Sequence, residues 1–141
     1  MKTLTVSNFM TRYPHTIGAD QTLATAHELM RKHKIRHLPV LLRGELVGLV
    51  SQRDLQLVET LRDVDPNSVR VEEAMSPNPC AVSPDTSLDW VAVEMESHKY
   101  GSMIVVEAGA VVGVFTTVDA MRALAEVLRS PSRPARERRA S

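Results

Sequence analysis

The apolar residues of the chain fall into two rhythms, and each rhythm occurs twice. Leu23, Ala26 and Met30 recur at three- and four-residue steps, as do Leu88, Val91 and Met95. That spacing places each set on one face of a helix. Runs rich in β-branched residues, 37–42 with 45–50 and 102–107 with 110–115, predict paired strands. Arg43-Gly44 and Ala108-Gly109 interrupt them, and a glycine between two such runs predicts a hairpin turn. A shorter strand is predicted at 15–17 and at 80–82, after Pro14 and Pro79. Asp20 and Thr22, like Asp85 and Ser87, offer oxygens to cap the striped helices. His33-Lys34 and His98-Lys99 bring positive charge to their ends, where the helix dipole favours it. A second helix is expected from Gln52 to about Arg62, and another from Thr117 to about Leu128. Each half therefore reads strand, helix, strand, strand, helix.

The halves are copies. A shift of 65 aligns residues 6–54 with 71–119 without a gap, and 13 of the 49 pairs are identical. Chance at average composition would give roughly three. Among them are Met10/Met75, Pro14/Pro79, Gly48/Gly113 and Asp54/Asp119. The expected fold class is α+β, with two tandem repeats packed about a pseudo-twofold axis. The expected organisation is repeat 1 at 1–62, a linker at 63–70, repeat 2 at 71–128 and a flexible Arg/Pro/Ser-rich tail at 129–141. A unit of some 60 residues is marginal alone, so the two copies are expected to bury each other's apolar faces.

Composition narrows the function. Of 141 residues 43% are hydrophobic, enough for an ordinary core. No apolar run approaches the ~20 residues of a membrane span, and the first residues do not read as a signal peptide. The single cysteine, Cys80, excludes an internal disulfide and suits a cytoplasmic setting. The net charge of zero is uneven: the tail from Arg129 holds five arginines and one glutamate, which leaves an acidic body. That argues against general nucleic-acid binding, which needs a basic face. The chain holds no phosphate-cradling glycine loop, nucleophile elbow, HExxH or CxxC. Neither an enzyme nor a metal protein is expected, although His27, His33, His37 and His98 are present. The seven methionines read as core residues. Trp90, which replaces Thr25 of the first copy, reads either as a partly buried side chain or as part of a self-association surface.

Candidate chemistry lies in a repeated string, Gly48-Leu-Val-Ser51-Gln-Arg53-Asp54 and Gly113-Val-Phe-Thr116-Thr-Val-Asp119. A hydroxyl with an acid three residues on is a capping-box pattern, and that alone accounts for both side chains. A strand running straight into a helix also leaves free N–H groups and a positive dipole end, which suit an anion. There Ser51 or Thr116 can donate to a phosphate oxygen. A carboxylate one turn in would repel phosphate but can accept from both hydroxyls of a ribose. Phosphate beside ribose means a nucleotide.

The string, with Leu38-Pro39-Val40 before it and Met10-Thr11 and Asp20-x-Thr22-Leu23 upstream, resembles a CBS domain, named for cystathionine β-synthase. The second copy resembles it through Met75, Pro84-Asp85-x-Ser87-Leu88 and Gly113 to Asp119. The resemblance covers residues 4–128. It implies a stand-alone CBS pair, or Bateman module, that binds an adenosyl ligand in clefts between the repeats and regulates a partner protein. AMP, ADP or ATP is the expected ligand, with S-adenosylmethionine and NAD as further candidates. A homodimer is implied as well. Carried over by position, the first site comprises Asp54 and Ser51, with Thr16, Ile17, Ile35, Arg36, His37 and Pro39 around the base and neighbouring groups. The second comprises Asp119, Thr116, Ala81, Val82, Tyr100, Gly101, Ser102 and Ile104. Arg36, His37 and Arg53 become Gly101, Ser102 and Val118 in the second copy. The first copy is therefore expected to bind an anion more tightly, unless its arginines merely pair with surface acids. The alternative from another class is an interaction module whose clefts are filled by apolar side chains.

Overall fold

The computed structural model describes residues 4–61 and 63–129. In chain order it contains β1 (Thr11–Arg12), β2 (Ile17–Gly18), α1 (Leu23–His33), β3 (His37–Leu42), β4 (Glu45–Ser51) and α2 (Gln52–Glu59). The second half holds β5 (Ser76–Pro77), β6 (Ala81–Val82), α3 (Leu88–His98), β7 (Ser102–Glu107), β8 (Ala110–Thr116) and α4 (Thr117–Leu128). A single 3-10 turn precedes each half, at Val6–Asn8 and Val71–Glu73. This is the expected α+β duplication, with two four-stranded mixed sheets among the described residues.

Local chemistry sets the elements. Both hairpins turn through two consecutive left-handed residues, Arg43 and Gly44 at φ 53° and 82°, Ala108 and Gly109 at 51° and 81°. Such primed turns match the twist of the strands they join. Lys34 and Lys99 end α1 and α3 in the left-handed conformation, each returning its N–H to the carbonyl four residues back. Thr22 caps α1 through its hydroxyl, whereas Ser87 makes no side-chain cap. At the start of both helices the first N–H is met from outside, Leu23 by Val69 O at 3.0 Å and Leu88 by Leu4 O at 2.9 Å. Helix α2 stops at Glu59, short of the expected Arg62. The Thr60 hydroxyl donates to Leu57 O at 2.6 Å, so the last turn is closed by Thr60 itself. The expected strand at 80–82 shortens to β6 and that at 15–17 shifts to β2 at Ile17–Gly18, since pairing with β3 and β7 begins at Ile17 and Ala81.

The packing does not follow chain order. The sheets run β2-β3-β4-β5 and β1-β8-β7-β6. Strand β1, which opens the chain, pairs with β8 of the second copy (Thr11↔Val114, Arg12↔Gly113). Strand β5, which precedes the second copy, pairs with β4 of the first (Gly48↔Pro77, Leu49↔Ser76). The cores are exchanged likewise. Val6, Phe9 and Met10 join Val91, Met95, Met103, Val105 and Phe115, while Val71 joins Leu23, Met30, Leu38, Val50 and Leu55.

This exchange accounts for the repeated glycine. A Cβ on Gly48 would lie 2.9 Å from Met75 Cγ and 3.0 Å from Ser76 O. On Gly113 it would lie 3.0 Å from Met10 Cγ. The methionine of each exchanged segment thus crosses directly over a glycine of the sheet that receives it, where no side chain fits. Among the described residues no helix is long and apolar enough to cross a membrane. All of the predicted tail except Arg129, the C-terminal cap of α4, lies outside the described residues.

Candidate functional site

Helix α2 starts at the last residue of β4. Its first turn is a reciprocal cap: Asp54 N–H donates to Ser51 Oγ at 3.1 Å, and Ser51 N–H donates to Asp54 Oδ2 at 2.9 Å. Helix α4 repeats this, with Thr116 N–H donating to Asp119 Oδ2 at 2.9 Å. The capping reading of both strings is therefore correct. It leaves Asp54 Oδ1 without a partner among the described residues.

A cavity of about 800 Å³ lies beside this helix start, with Asp54 among its lining residues. One wall is Ser51, Gln52, Arg53, Asp54 and Gln56 from the start of α2, with Leu49 from β4. Arg36 and His37 enter at the start of β3. The opposite wall belongs to the second copy: the exchanged segment at 76–80, and Lys99, Tyr100, Gly101 and Ser102 leading into β7. The cleft lies between the repeats, as expected. Four cationic or potentially cationic groups border it (Arg36, His37, Arg53, Lys99), and Asp54 is the acid among its lining residues.

The structure does not sort the expected residues by copy. Tyr100, Gly101 and Ser102, assigned by position to the second site, line the same cavity as Ser51 and Asp54. Gly101 faces His37, so a Cβ there would lie 3.3 Å from His37 Nε2. Tyr100 is steadied by the His98 ring, stacked at 5.1 Å between centroids. Ser102 is 5% exposed, and its Oγ has no hydrogen-bond partner among the described residues. A buried hydroxyl without a partner costs about 1–3 kcal/mol, a cost that a polar atom in the cleft would remove. Thr16, Ile17, Ile35 and Pro39 are not among the lining residues; Ile17 and Pro39 are buried, and Ile35 packs on the first core. Ala81, Val82, Ile104, Thr116 and Asp119 are likewise absent from it. Ile104 is buried beside Ala81 in the second sheet.

Sequence reasoning missed Lys99, Gln52, Gln56 and the 76–80 segment. The repeated His-Lys pair carried a signal for Lys99, because a helix that ends in a left-handed residue directs the next few residues into the strand mouth. Nothing local announced the 76–80 segment, which reaches the cleft only through the strand exchange.

Burial lowers the pKa of His37 below 6.5; Asp54 opposes that shift and Arg36 reinforces it. The imidazole is therefore neutral at pH 7 in the folded protein. Below pH 6.5 the unfolded chain binds the proton first, so this histidine's contribution to stability is complete above 6.5 and declines as pH falls. Cys80 lines the cleft too, but burial and Glu94 push its thiol up, away from the thiolate a nucleophile needs. His27 pairs with Glu59 across α1 and α2, and His15 stacks on His33 at 3.6 Å. Among the described residues no group of three or more His, Cys, Asp or Glu is placed to hold a metal ion.

Comparison with known proteins follows the same lines. The family model for the CBS domain matches residues 6–58 and again 71–126. The CBS domain-containing protein YhcV of Bacillus subtilis is 29% identical over 114 residues, covering 81% of each chain. Among solved structures, the CBS domain pair of protein MJ0100, in complex with 5′-methylthioadenosine and S-adenosyl-L-methionine, superposes with a TM-score of 0.80 at 26% identity, over 89% of this chain and 99% of that one. The CBS-pair protein CBSX2 of Arabidopsis thaliana gives 0.78 at 28% identity, over 92% and 99%. CBSX2 in complex with AMP gives 0.74 at 28% identity, over 88% and 98%.

Proposed function

The chain belongs to the CBS domain family, and from that premise we propose that it is a non-catalytic regulatory module that binds a phosphorylated adenosyl nucleotide and modulates a partner protein. One observation carries the reading. One cleft between the repeats is lined by Asp54, the N-terminus of α2, three permanent cations and Ser102. Its volume of about 800 Å³ suits a nucleotide. Asp54 would accept from the ribose diol. Ser51 and the first amides of α2 would meet a phosphate, with Arg36, Arg53 and Lys99 around it. Ser102 would reach the ligand from the second repeat. Such a ligand touches both copies, so its binding energy can bias their relative geometry, by no more than its differential affinity for the two arrangements.

The relatives bind adenosyl groups with different 5′ substituents. AMP carries an anion, and S-adenosylmethionine a sulfonium cation. The cations of this cleft favour the anion. Isothermal titration with ATP, ADP, AMP and S-adenosylmethionine tests the proposal. The phosphorylated nucleotides are expected to bind, and each phosphate contact to a cation is worth about 1.5–3 kcal/mol. If none of the four gives heat or moves the unfolding midpoint, the chain is an interaction module and the nucleotide reading fails.

A phosphate beside His37 favours its charged form, so nucleotide binding takes up a proton. Affinity for ATP is therefore expected to rise as pH falls from 7.5 towards 6, more steeply in the wild type than in His37→Gln. Equal slopes in the two proteins would place His37 away from the phosphates.

We also propose self-association through α4. Val118, Met121 and Leu124 leave this helix 74%, 63% and 50% exposed at three-residue steps. The corresponding residues of α2 are Arg53, Gln56 and Glu59, so these three positions are apolar in the second copy alone. A second copy of the chain covers it most simply, stripe against stripe about a twofold axis. Met121→Lys is expected to convert a dimer to a monomer in sedimentation. A wild-type protein that sediments as a monomer would refute the pairing.

A further inference from the structure

The two copies diverge at their aspartates. Asp119 is 4% exposed and surrounded by donors. Its Oδ2 accepts from Thr116 N–H at 2.9 Å and from the Thr116 hydroxyl at 3.2 Å. Its Oδ1 accepts from Arg122 Nη2 at 3.2 Å. The Thr11 hydroxyl straddles both oxygens at 3.4 Å, the long end of hydrogen bonding. The same Arg122 nitrogen also donates to Phe9 O. One acid and one guanidinium thus join α4 to the segment 9–11, which arrives from the opposite end of the chain.

The first copy keeps the backbone cap but reproduces neither the Arg122 nor the Thr11 contact. Ser76 stands where Thr11 does and Leu57 where Arg122 does. The Leu57 side chain has no donor, and the residue is 58% exposed. Asp54 keeps only the reciprocal cap with Ser51 and has one oxygen left over. The capping box does not distinguish the two acids, since both have it. Arg122 and Thr11 do.

We propose that Asp119 is an anchor and not a ligand group: it ties the exchanged N-terminal strand to the last helix, and the chain consequently offers one nucleotide cleft where its duplication implies two. A ribose approaching Asp119 would have to displace a charge-assisted pair in which the acid is buried and the guanidinium half exposed. It would also find Gly101, Ser102 and Val118 where the first copy has Arg36, His37 and Arg53. The part concerning ligand number rests on the nucleotide reading above. The part concerning the anchor does not.

The test combines titration with ATP and thermal unfolding of the full chain, comparing wild type, Asp119→Ala, Asp119→Asn and Arg122→Leu. The wild type is expected to take up one ATP per chain. Asp119→Ala should lower the unfolding midpoint by roughly 5–10 °C. Asp119→Asn keeps a capping oxygen while losing the charge pair, so it should fold with a smaller loss. Arg122→Leu, which installs the side chain found at position 57, should also melt earlier. Both folded variants should bind one ATP with affinity within about twofold of wild type. The proposal is overturned if Asp119→Asn weakens ATP binding about tenfold or removes one of two bound nucleotides. It is equally overturned if Asp119→Ala and Arg122→Leu melt with the wild type. Should the wild type bind no ATP, the nucleotide reading fails by itself, and the unfolding comparison still decides the anchor.

Discussion

Replacing Asp54 with alanine is expected to weaken nucleotide binding about a hundredfold or more while leaving the protein folded. Asp54 lines the cavity, with one oxygen committed to the Ser51 amide and the other without a partner among the described residues. Two hydrogen bonds from a ribose diol to a charged acceptor are worth about 3–4 kcal/mol in this setting, and about 2.8 kcal/mol corresponds to a hundredfold. The same change removes half of a capping box and costs about 1 kcal/mol of stability. Asp54→Asn separates the two effects. Its single carbonyl oxygen can cap the helix or face the ligand but cannot do both. The asparagine variant is therefore expected to regain most of the stability and little of the affinity. Titration with ATP beside thermal unfolding provides both numbers. Intact binding in Asp54→Ala, with binding lost in Asp119→Ala, would reverse the ranking of the two copies.

The second large effect is structural. Gly48→Val is expected to destabilise the protein by about 2–3 kcal/mol, and Gly113→Val by a similar amount. At Gly48 the first added carbon already meets Met75 Cγ at 2.9 Å and the Ser76 carbonyl at 3.0 Å. The methionine can bend away, but the carbonyl belongs to β5 and moves only with the strand. Because residues 76–80 line the cleft, the same displacement should also weaken nucleotide binding in Gly48→Val. Gly113→Val presses on the Met10 side chain just before β1, which does not border that cavity, so it should lower stability with little effect on affinity. Urea unfolding of both variants measures the first claim, and titration of the folded fraction the second. A Gly48→Val protein as stable as wild type would mean that Met75 and β5 do not pack as described.

What was legible in the sequence was what local chemistry enforces. Leu23, Ala26 and Met30 declared a helix because burial on one face demands their spacing, and all three are buried. Arg43-Gly44 declared a turn because few sequences tolerate two left-handed residues in succession. Ser51 and Asp54 declared a helix start because a cap needs an acceptor at the first position and another one turn on. The family resemblance added a cleft between the repeats. The strands β1 and β5 were not legible. Two-residue strands carry no periodicity, and their partners lie across the molecule. The grouping of Tyr100, Gly101 and Ser102 with the first helix start was hidden for the same reason.

By itself the sequence determined a duplicated α+β unit, twice ending a hairpin at a capped helix with an acid in its first turn. It also determined that the first copy holds the arginines and the second does not. Only the tertiary structure decided that the copies exchange their leading strands, that one cleft gathers residues from both, and that Asp54 is left open while Asp119 is closed in. The physical reason is range. Helix periods, turns and caps are settled within a few residues, whereas the partner of a carboxylate can come from more than a hundred residues away, as Thr11 does for Asp119.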